Sequence, residues 1–171
     1  MGARRMMERT PVLNLNDVEY ESWGRGSAFE AKLGAMATRL GAKKLGYRVV
    51  VLPPGKKAWP FHLHHVNEEM FFVLEGTGTL RFGERHYAVK PGDVICCPPG
   101  PGTAHQIVNT SQQDLKYLAV STMEPAEVAE YPDSGKFAAM VGRAPGGDRS
   151  QRAFWVVAKT DAAVDYWEGE Q

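Results

Sequence analysis

The chain has 171 residues, of which 43% are hydrophobic and 23% charged, and its 20 basic and 20 acidic side chains leave no net charge. This length and composition are typical of one globular domain with a substantial core. The lack of a basic surplus argues against nucleic acid as a partner, because phosphate backbones attract excess lysine and arginine. No apolar run approaches the roughly 18 residues that cross a bilayer, so we expect a cytoplasmic protein without a membrane partner.

The first 44 residues predict an irregular N-terminal arm that packs on the rest of the domain. Residues 1–11 are charged and rich in methionine, and we expect them to fray. Residues 12–34 have a mixed composition, and the sequence WGRG at 23–26 indicates a loop. Residues 35–45 contain three spaced large apolar side chains and could form a helical turn.

Residues 45–124 predict a β-barrel. At least seven short strands are indicated between residues 45 and 122, about 10 residues apart and separated by turn signals such as PPG at 53–55. Such regular spacing favours an antiparallel sandwich or barrel, and hence an all-β fold, over alternating strands and helices. The strand at 69–75, EMFFVLE, is apolar on both faces. Since both faces need cover, we expect a homodimer.

Residues 125–171 predict a less regular C-terminal extension within the same structural domain. The segments 136–141 and 154–158 could be edge strands. Tyr166 and Trp167 are expected to dock on the barrel, because two large aromatic side chains in a free tail would be unusual.

The two cysteines, Cys96 and Cys97, are neighbours on a predicted strand. Neighbouring side chains point to opposite faces of a strand, so these thiols are poorly placed to form a disulfide with each other. One of the two should face the barrel interior, and the sequence leaves open which one it is.

The residues that indicate chemistry lie at the start of the barrel. His62 and His64 are two apart on a short strand and therefore share a face, while His65 points away towards the surface. After a turn, either Glu68 or Glu69 can join that face, but not both. Two imidazoles and a carboxylate that converge on one point are typical ligands of a divalent first-row metal ion.

These residues resemble the two sequence motifs of the cupin family. The first motif is matched by His62 and His64, four residues, Glu69, six residues and Gly76. The tail of the second motif, Gly-x-x-His-x-x-x-Asn, is matched at residues 102–109, where His105 is the histidine. The second motif is two residues longer than usual, and the extra length lies in PPGPG at 98–102.

The resemblance implies a double-stranded β-helix, the cupin jelly-roll barrel. It also implies that His62, His64, Glu69 and His105 together bind one divalent metal ion, which could be iron, manganese, zinc, nickel or cobalt. The segments YPDSGK at 131–136 and DYWEGE at 165–170 resemble the tails of a bacterial cupin subgroup, some of whose members are called sugar-phosphate isomerases.

Five other residues are candidates for a substrate pocket at the barrel mouth. Small-molecule sites are mostly apolar, and the aromatic side chains Trp59, Phe71 and Tyr117 could line one, although core packing is their commoner role. Arg48 and Arg81 lie inside predicted strands and could bind an anionic substrate. The alternative for both arginines is a solvent-facing position on a half-exposed strand.

Three functions for a small-molecule ligand remain open at this point. The first is an enzyme that uses the metal as a Lewis acid, for example a sugar-phosphate isomerase. The second is a non-haem iron dioxygenase, since four protein ligands leave two octahedral positions for substrate and oxygen. The third is a non-catalytic sensor or binding module.

Overall fold

The structure is a computed structural model that describes residues 10–144 and 149–170. The predicted fraying of residues 1–11 falls almost wholly outside this range. The described chain is nearly all β, which confirms the predicted class. Its thirteen strands are β1 (Glu21–Arg25), β2 (Phe29–Ala35), β3 (Leu45–Leu52), β4 (Leu63–His64), β5 (Glu69–Glu75), β6 (Gly78–Phe82), β7 (Arg85–Val89), β8 (Val94–Cys97), β9 (His105–Val108), β10 (Leu115–Thr122), β11 (Ala126–Tyr131), β12 (Lys136–Val141) and β13 (Phe154–Lys159).

The helical elements are short. One α-helix, α1 (Ala37–Leu40), supplies the helical turn expected between residues 35 and 45. The 3₁₀ turns are Leu15–Asp17, Pro132–Ser134 and Arg149–Gln151. No helix in the described ranges has the length and apolar character needed to cross a membrane. The cytoplasmic location stays a prediction.

The strands form three antiparallel sheets. The largest has the order β1-β2-β3-β10-β5-β8, the second has the order β13-β12-β11-β4, and the third has the order β7-β6-β9. Half of the strand pairings join strands that are not consecutive in the chain, as when β10 lies between β3 and β5. The segment between residues 45 and 122 therefore folds back on itself repeatedly and encloses one core.

The main core lies inside the barrel and follows the alternation of its strands. Side chains two apart on a strand point the same way, so every second residue of β3, β5 and β10 is turned inwards. The large apolar residues among them are almost completely buried: Val50, Leu52, Phe71, Val73, Leu115 and Tyr117.

A second core covers the outer face of the largest sheet. Val49 of β3 and Leu74 of β5 point outwards, and Val18 and Met36 from the N-terminal arm pack in the same cluster. The chain thus covers the outer face of β5 at Leu74. Part of the cover that β5 needs therefore comes from its own chain, and the homodimer stays a prediction.

The predicted loop at residues 23–26 is wrong, because residues 23–25 belong to β1. β1 and β2 form a hairpin whose register pairs Trp23 with Ala31. A Cβ on Gly24 would lie 2.8 Å from the carbonyl oxygen of Phe29, so a glycine there permits close approach of the two strands. β2 in turn pairs with β3, and the hairpin extends the barrel sheet.

The C-terminal extension is more regular than expected. β12 was predicted to be an edge strand, but it lies between β11 and β13, and β13 is the edge. Tyr166 and Trp167 contact each other with ring centroids 4.9 Å apart. They remain 82% and 70% exposed, so the expected docking of these two rings on the barrel is wrong.

Gly76 offers a direct test of the barrel geometry. Its φ is +77°, and a Cβ built on it would lie 2.2 Å from the carbonyl oxygen of Asp114. Gly55 has a similar φ of +74° with nothing within 4 Å of such a Cβ, which makes it a matched control. We expect Gly55→Ala to lower the free energy of unfolding by ~1–2 kcal/mol, through its backbone conformation alone. Gly76→Ala should lower the free energy of unfolding by ~2–5 kcal/mol, because the clash with the Asp114 carbonyl oxygen adds to the cost of the backbone conformation.

Urea denaturation of both variants and the parent protein measures these free energies. Equal losses in the two variants would show that the close approach of residue 114 is not what requires glycine at position 76.

Candidate metal centre

Short backbone pairings place the candidate ligands at one end of the barrel. His64 lies in β4, and His62 precedes it. His62 and His105 form an antiparallel bridge in which the N–H of each donates to the carbonyl of the other, at 3.2 and 2.8 Å. Glu69 begins β5 and His105 begins β9. Four side chains that are far apart in sequence are thereby turned towards one point.

The three imidazoles surround a single carboxylate oxygen. Oε2 of Glu69 lies 3.0 Å from Nε2 of His105, 3.5 Å from Nε2 of His64 and 3.8 Å from Nε2 of His62. One atom each from Glu69, His62 and His105 lies within 4.8 Å of the others, close enough to share a metal ion. His64 lies outside this group of three, but its Nε2 also contacts Oε2 of Glu69, so all four predicted residues meet at one end of the barrel.

In two of the rings, the nitrogen that faces away from Glu69 is hydrogen-bonded to the backbone. Nδ1 of His62 lies 2.8 Å from the carbonyl oxygen of Pro60, and Nδ1 of His105 lies 3.0 Å from that of Thr103. A carbonyl oxygen only accepts, so each Nδ1 carries the proton and donates it. The lone pair of each Nε2 is then directed at the cluster, as a metal ligand requires.

His64 differs, because its acceptor is a buried carboxylate. Its Nδ1 lies 3.3 Å from Oε2 of Glu127, whose side chain is fully buried. Both ring nitrogens of His64 are buried, and neither makes a well-formed hydrogen bond. A buried polar atom without a partner is destabilising. A metal ion bound at Nε2 would supply the missing partner, so the residues present fit a metal.

Glu127 was not predicted from the sequence. It lies in β11, within the C-terminal extension, and belongs to no motif that we identified. Its Oε1 accepts the backbone N–H groups of His65 and Val66 at 3.1 Å, and its Oε2 accepts the backbone and side-chain N–H groups of Asn67 at 2.8 and 2.6 Å. Four donors hold this carboxylate in place behind His64.

The charges of the cluster depend on burial and on the carboxylates. Burial lowers the pKa of His62 to about 4, so this ring is neutral at pH 7. Burial would also lower the pKa of His64, but Glu127 and Glu69 outweigh it and raise the pKa to about 9. Burial would raise the pKa of Glu69, but the neighbouring imidazoles of His105 and His64 hold it well below its usual value. A metal ion that binds must therefore displace a proton from His64.

The neighbouring carboxylate, histidine and cysteines lie elsewhere. Glu68 is exposed and 3.7 Å from the thiol of Cys96, so Glu69 is the carboxylate at the cluster. His65 pairs with Glu130 at 2.6 Å, away from the cluster.

Cys97 is the buried cysteine, and burial raises the pKa of its thiol, so it behaves as a small apolar side chain.

A cavity beside the cluster is lined by the three aromatic residues that the sequence proposed. Trp59, Phe71 and Tyr117 border it together with the ligands His62 and His105. Its volume of about 20 Å³ has room for about one water molecule. A ligand larger than that would have to extend from the cluster into the barrel mouth.

The two candidate arginines have different surroundings. The guanidinium of Arg81 binds both carboxylate oxygens of Asp133 at 2.7 and 2.9 Å and lies 3.6 Å from the ring centroid of Phe61. The guanidinium of Arg81 therefore already has an anionic partner within the chain. Arg48 is half-buried on β3, and Glu69 is the charged group that acts on it most strongly.

Removal of the negative charge behind His64 should weaken metal binding. In Glu127→Gln we expect affinity for the metal to fall ~10- to 100-fold, as for other outer partners of ligating histidines. The matched control is Glu130→Gln, a half-buried carboxylate on the same strand that contacts His65 instead. Competition with a chelator measures both affinities. Equal affinities in the two variants would contradict a role for Glu127 at the metal.

Comparison with known proteins supports the fold. A crystal structure of a proposed sugar phosphate isomerase from Acidithiobacillus ferrooxidans matches with a TM-score of 0.76 and 23% identity, over 92% of this chain and 97% of that chain. Auxin-binding protein 1 of Arabidopsis thaliana is 28% identical over 142 residues, which are 78% of this chain and 70% of that protein.

A further match covers a shorter part of the chain. The oxalate-binding protein of Thermotoga maritima is 36% identical over 69 residues, and the match spans 40% of this chain and about half of that protein, 54%. The family model for the cupin domain matches residues 48–121. These residues include all four candidate ligands and the strands that carry them. This match identifies residues 48–121 as a cupin domain.

Proposed function

We propose that this protein binds one divalent metal ion through His62, His64, Glu69 and His105 and uses it to bind a small molecule. The observation that carries the proposal is the convergence of three Nε2 atoms on one oxygen of Glu69. Three imidazoles and one carboxylate suit iron, manganese, cobalt, nickel or zinc. When bound, such an ion acts as a Lewis acid towards an oxygen atom of the ligand.

The protein residues around the site orient the ligands and limit the access of water. The carbonyl groups of Pro60 and Thr103 fix the rings of His62 and His105. Trp59 and Phe71 form an apolar wall on the cavity side. An apolar wall strengthens the electrostatic interactions of a bound oxygen atom, because it excludes the water that would screen them.

The reaction that we propose first is isomerisation of a sugar phosphate. Its support is the likeness in fold to the structure of a proposed sugar phosphate isomerase. Tyr117 borders the cavity, and burial raises the pKa of its hydroxyl group, which therefore stays protonated. A protonated phenol can donate a hydrogen bond to a carbonyl oxygen of the substrate and assist its polarisation.

A second candidate is ligand binding without turnover. Isomerisation of a sugar also needs a group that accepts a proton. Apart from the histidine ligands, Tyr117 is the only titratable residue among the described residues that line the cavity, and its raised pKa makes it a poor base. Two relatives are named for binding, of auxin and of oxalate.

Elemental analysis of purified single variants tests the metal site. The parent protein should hold about one divalent ion per chain. Alanine at position 62, 64, 69 or 105 should lower that content severely, because three remaining ligands leave the site open and a buried group unpaired. His86→Ala is the control, since His86 lies on the exposed strand β7. Full metal content in all four ligand variants would overturn the proposal.

The same preparations discriminate between the candidate functions. Aldose–ketose interconversion of phosphorylated sugars, followed by NMR and lost in Glu69→Ala, would support the isomerase. Saturable ligand binding without turnover would support the second candidate instead. Oxygen uptake that depends on both iron and substrate would contradict both and identify the dioxygenase.

We also infer that the protein forms a homodimer through β13. β13 is a sheet edge, with Phe154 52% exposed on one face and Val157 47% exposed on the other. An exposed apolar edge strand is a ready site for pairing with another chain. Zero net charge adds no repulsion between copies.

Light scattering of the intact protein should give about twice the chain mass of 18.9 kDa. Val157→Lys should shift the protein towards the monomer, because it places a charge in the interface. The matched control is Val94→Lys, which alters a 68% exposed valine on another edge strand, β8. A monomeric parent protein, or equal masses for both variants, would refute this interface.

A further inference from the structure

Arg48 is the charged residue on the inner face of β3. The same strand turns Val50 and Leu52 into the main core at the next two alternate positions. In the sheet, Arg48 pairs with Ala119 of β10, and Ala119 pairs with Phe71 of β5. Since Ala119 and Phe71 also belong to the main core, the side chain of Arg48 leaves β3 on the barrel side.

The next inward row of the sheet contains a metal-ligand candidate. Gly46 pairs with Ser121, and Ser121 pairs with Glu69. Arg48 therefore lies one row from Glu69 and two strands away, a separation that a long side chain can span in part. Its partners across the sheet on both sides are Ala35 and Ala119, which have small side chains.

Arg48 has no partner in the described part of the chain to neutralise it. No hydrogen bond or ion pair to its guanidinium occurs there, in contrast to Arg81, which Asp133 binds with both oxygens. The charged group that acts most strongly on Arg48 is Glu69, at the candidate site. A half-buried guanidinium keeps its charge, and a buried charge without a partner is destabilising.

We infer that Arg48 binds the anionic group, a carboxylate or a phosphate, of a small molecule whose other oxygen atoms lie at the four-ligand cluster. The inference rests on the proposed metal site and specifies its ligand class. A planar guanidinium presents paired N–H donors that match two oxygens of a carboxylate or phosphate. An anion bound there would supply the partner that the chain itself does not provide.

The test uses full-length protein loaded with the metal that elemental analysis identifies. Calorimetric titration with inorganic phosphate and, separately, with malonate measures anion affinity in the parent protein and in three variants. Arg48→Met removes the charge but keeps an unbranched side chain. Arg48→Lys keeps the charge but loses the paired donors. Arg85→Met is the control, because Arg85 is exposed on β7.

We expect Arg48→Met to weaken anion binding ~10- to 100-fold, as expected from the loss of a charge-assisted hydrogen bond. Arg48→Lys should fall between Arg48→Met and the parent protein, and Arg85→Met should bind as the parent does. A loss confined to phosphate identifies a phosphate ligand, and a loss confined to malonate identifies a carboxylate ligand. Equal affinities in Arg48→Met and the parent protein, or no anion binding by the metal-loaded parent, would overturn the inference.

Two further measurements separate this inference from its alternatives. The metal content of Arg48→Met should equal that of the parent protein. A parent protein without bound metal would contradict the proposed metal site and not the role of Arg48. The melting temperature of Arg48→Met should be equal to or above that of the parent, because the substitution removes a half-buried charge that has no partner. A clear fall in melting temperature would show that Arg48 serves the fold, and would count against a ligand-binding role.

Discussion

Three imidazole rings packed around one carboxylate oxygen are the constraint on which the site depends. Each ring has two nitrogens, and in a buried cluster each nitrogen needs a partner. The inner nitrogens share Oε2 of Glu69, while the outer ones require acceptors from outside the cluster. The chain supplies two backbone carbonyls, at Pro60 and Thr103, and one buried carboxylate, Glu127. These three acceptors therefore determine how the imidazole rings are oriented.

This constraint also explains the architecture of the barrel end. The acceptors lie two residues before His62 and His105, so the backbone that carries each ring also orients it. The two segments are held in register by the reciprocal hydrogen bonds between His62 and His105. His64 has no such local acceptor. Its outer partner comes from β11, which pairs with β4 and extends the second sheet.

The alternation of strands made part of this site predictable. His62, His64 and Glu69 could be assigned to a shared face because side chains on a strand alternate, and the same rule placed one of two adjacent cysteines inside. His105 lies 36 residues beyond Glu69, and its place in the site was foreseen only through a resemblance to cupin motifs. Periodicity describes one strand and contains no information about which distant strand will lie beside it.

The two features that the sequence did not predict, Glu127 and the first hairpin, have the same origin. Glu127 appeared in the sequence as an ordinary charged residue, because the donors that satisfy it lie about 60 residues earlier in the chain. The hairpin of β1 and β2 was missed because its glycine, Gly24, serves close strand approach rather than a loop. Neither role leaves a local signal, since each depends on a contact with another strand.

The location of Glu127 determines how much of the candidate metal site the family domain contains. The family domain, residues 48–121, contains all four candidate ligands, but the carboxylate behind His64 lies past its end. A graft of those residues into another barrel would transfer the donor atoms without the group that orients one of them. In a protein with the same motifs but a different segment after residue 121, the histidine at the position of His64 would therefore lack this carboxylate. The candidate ligands thus come from the family domain, and the carboxylate that contacts one of them comes from the segment after it.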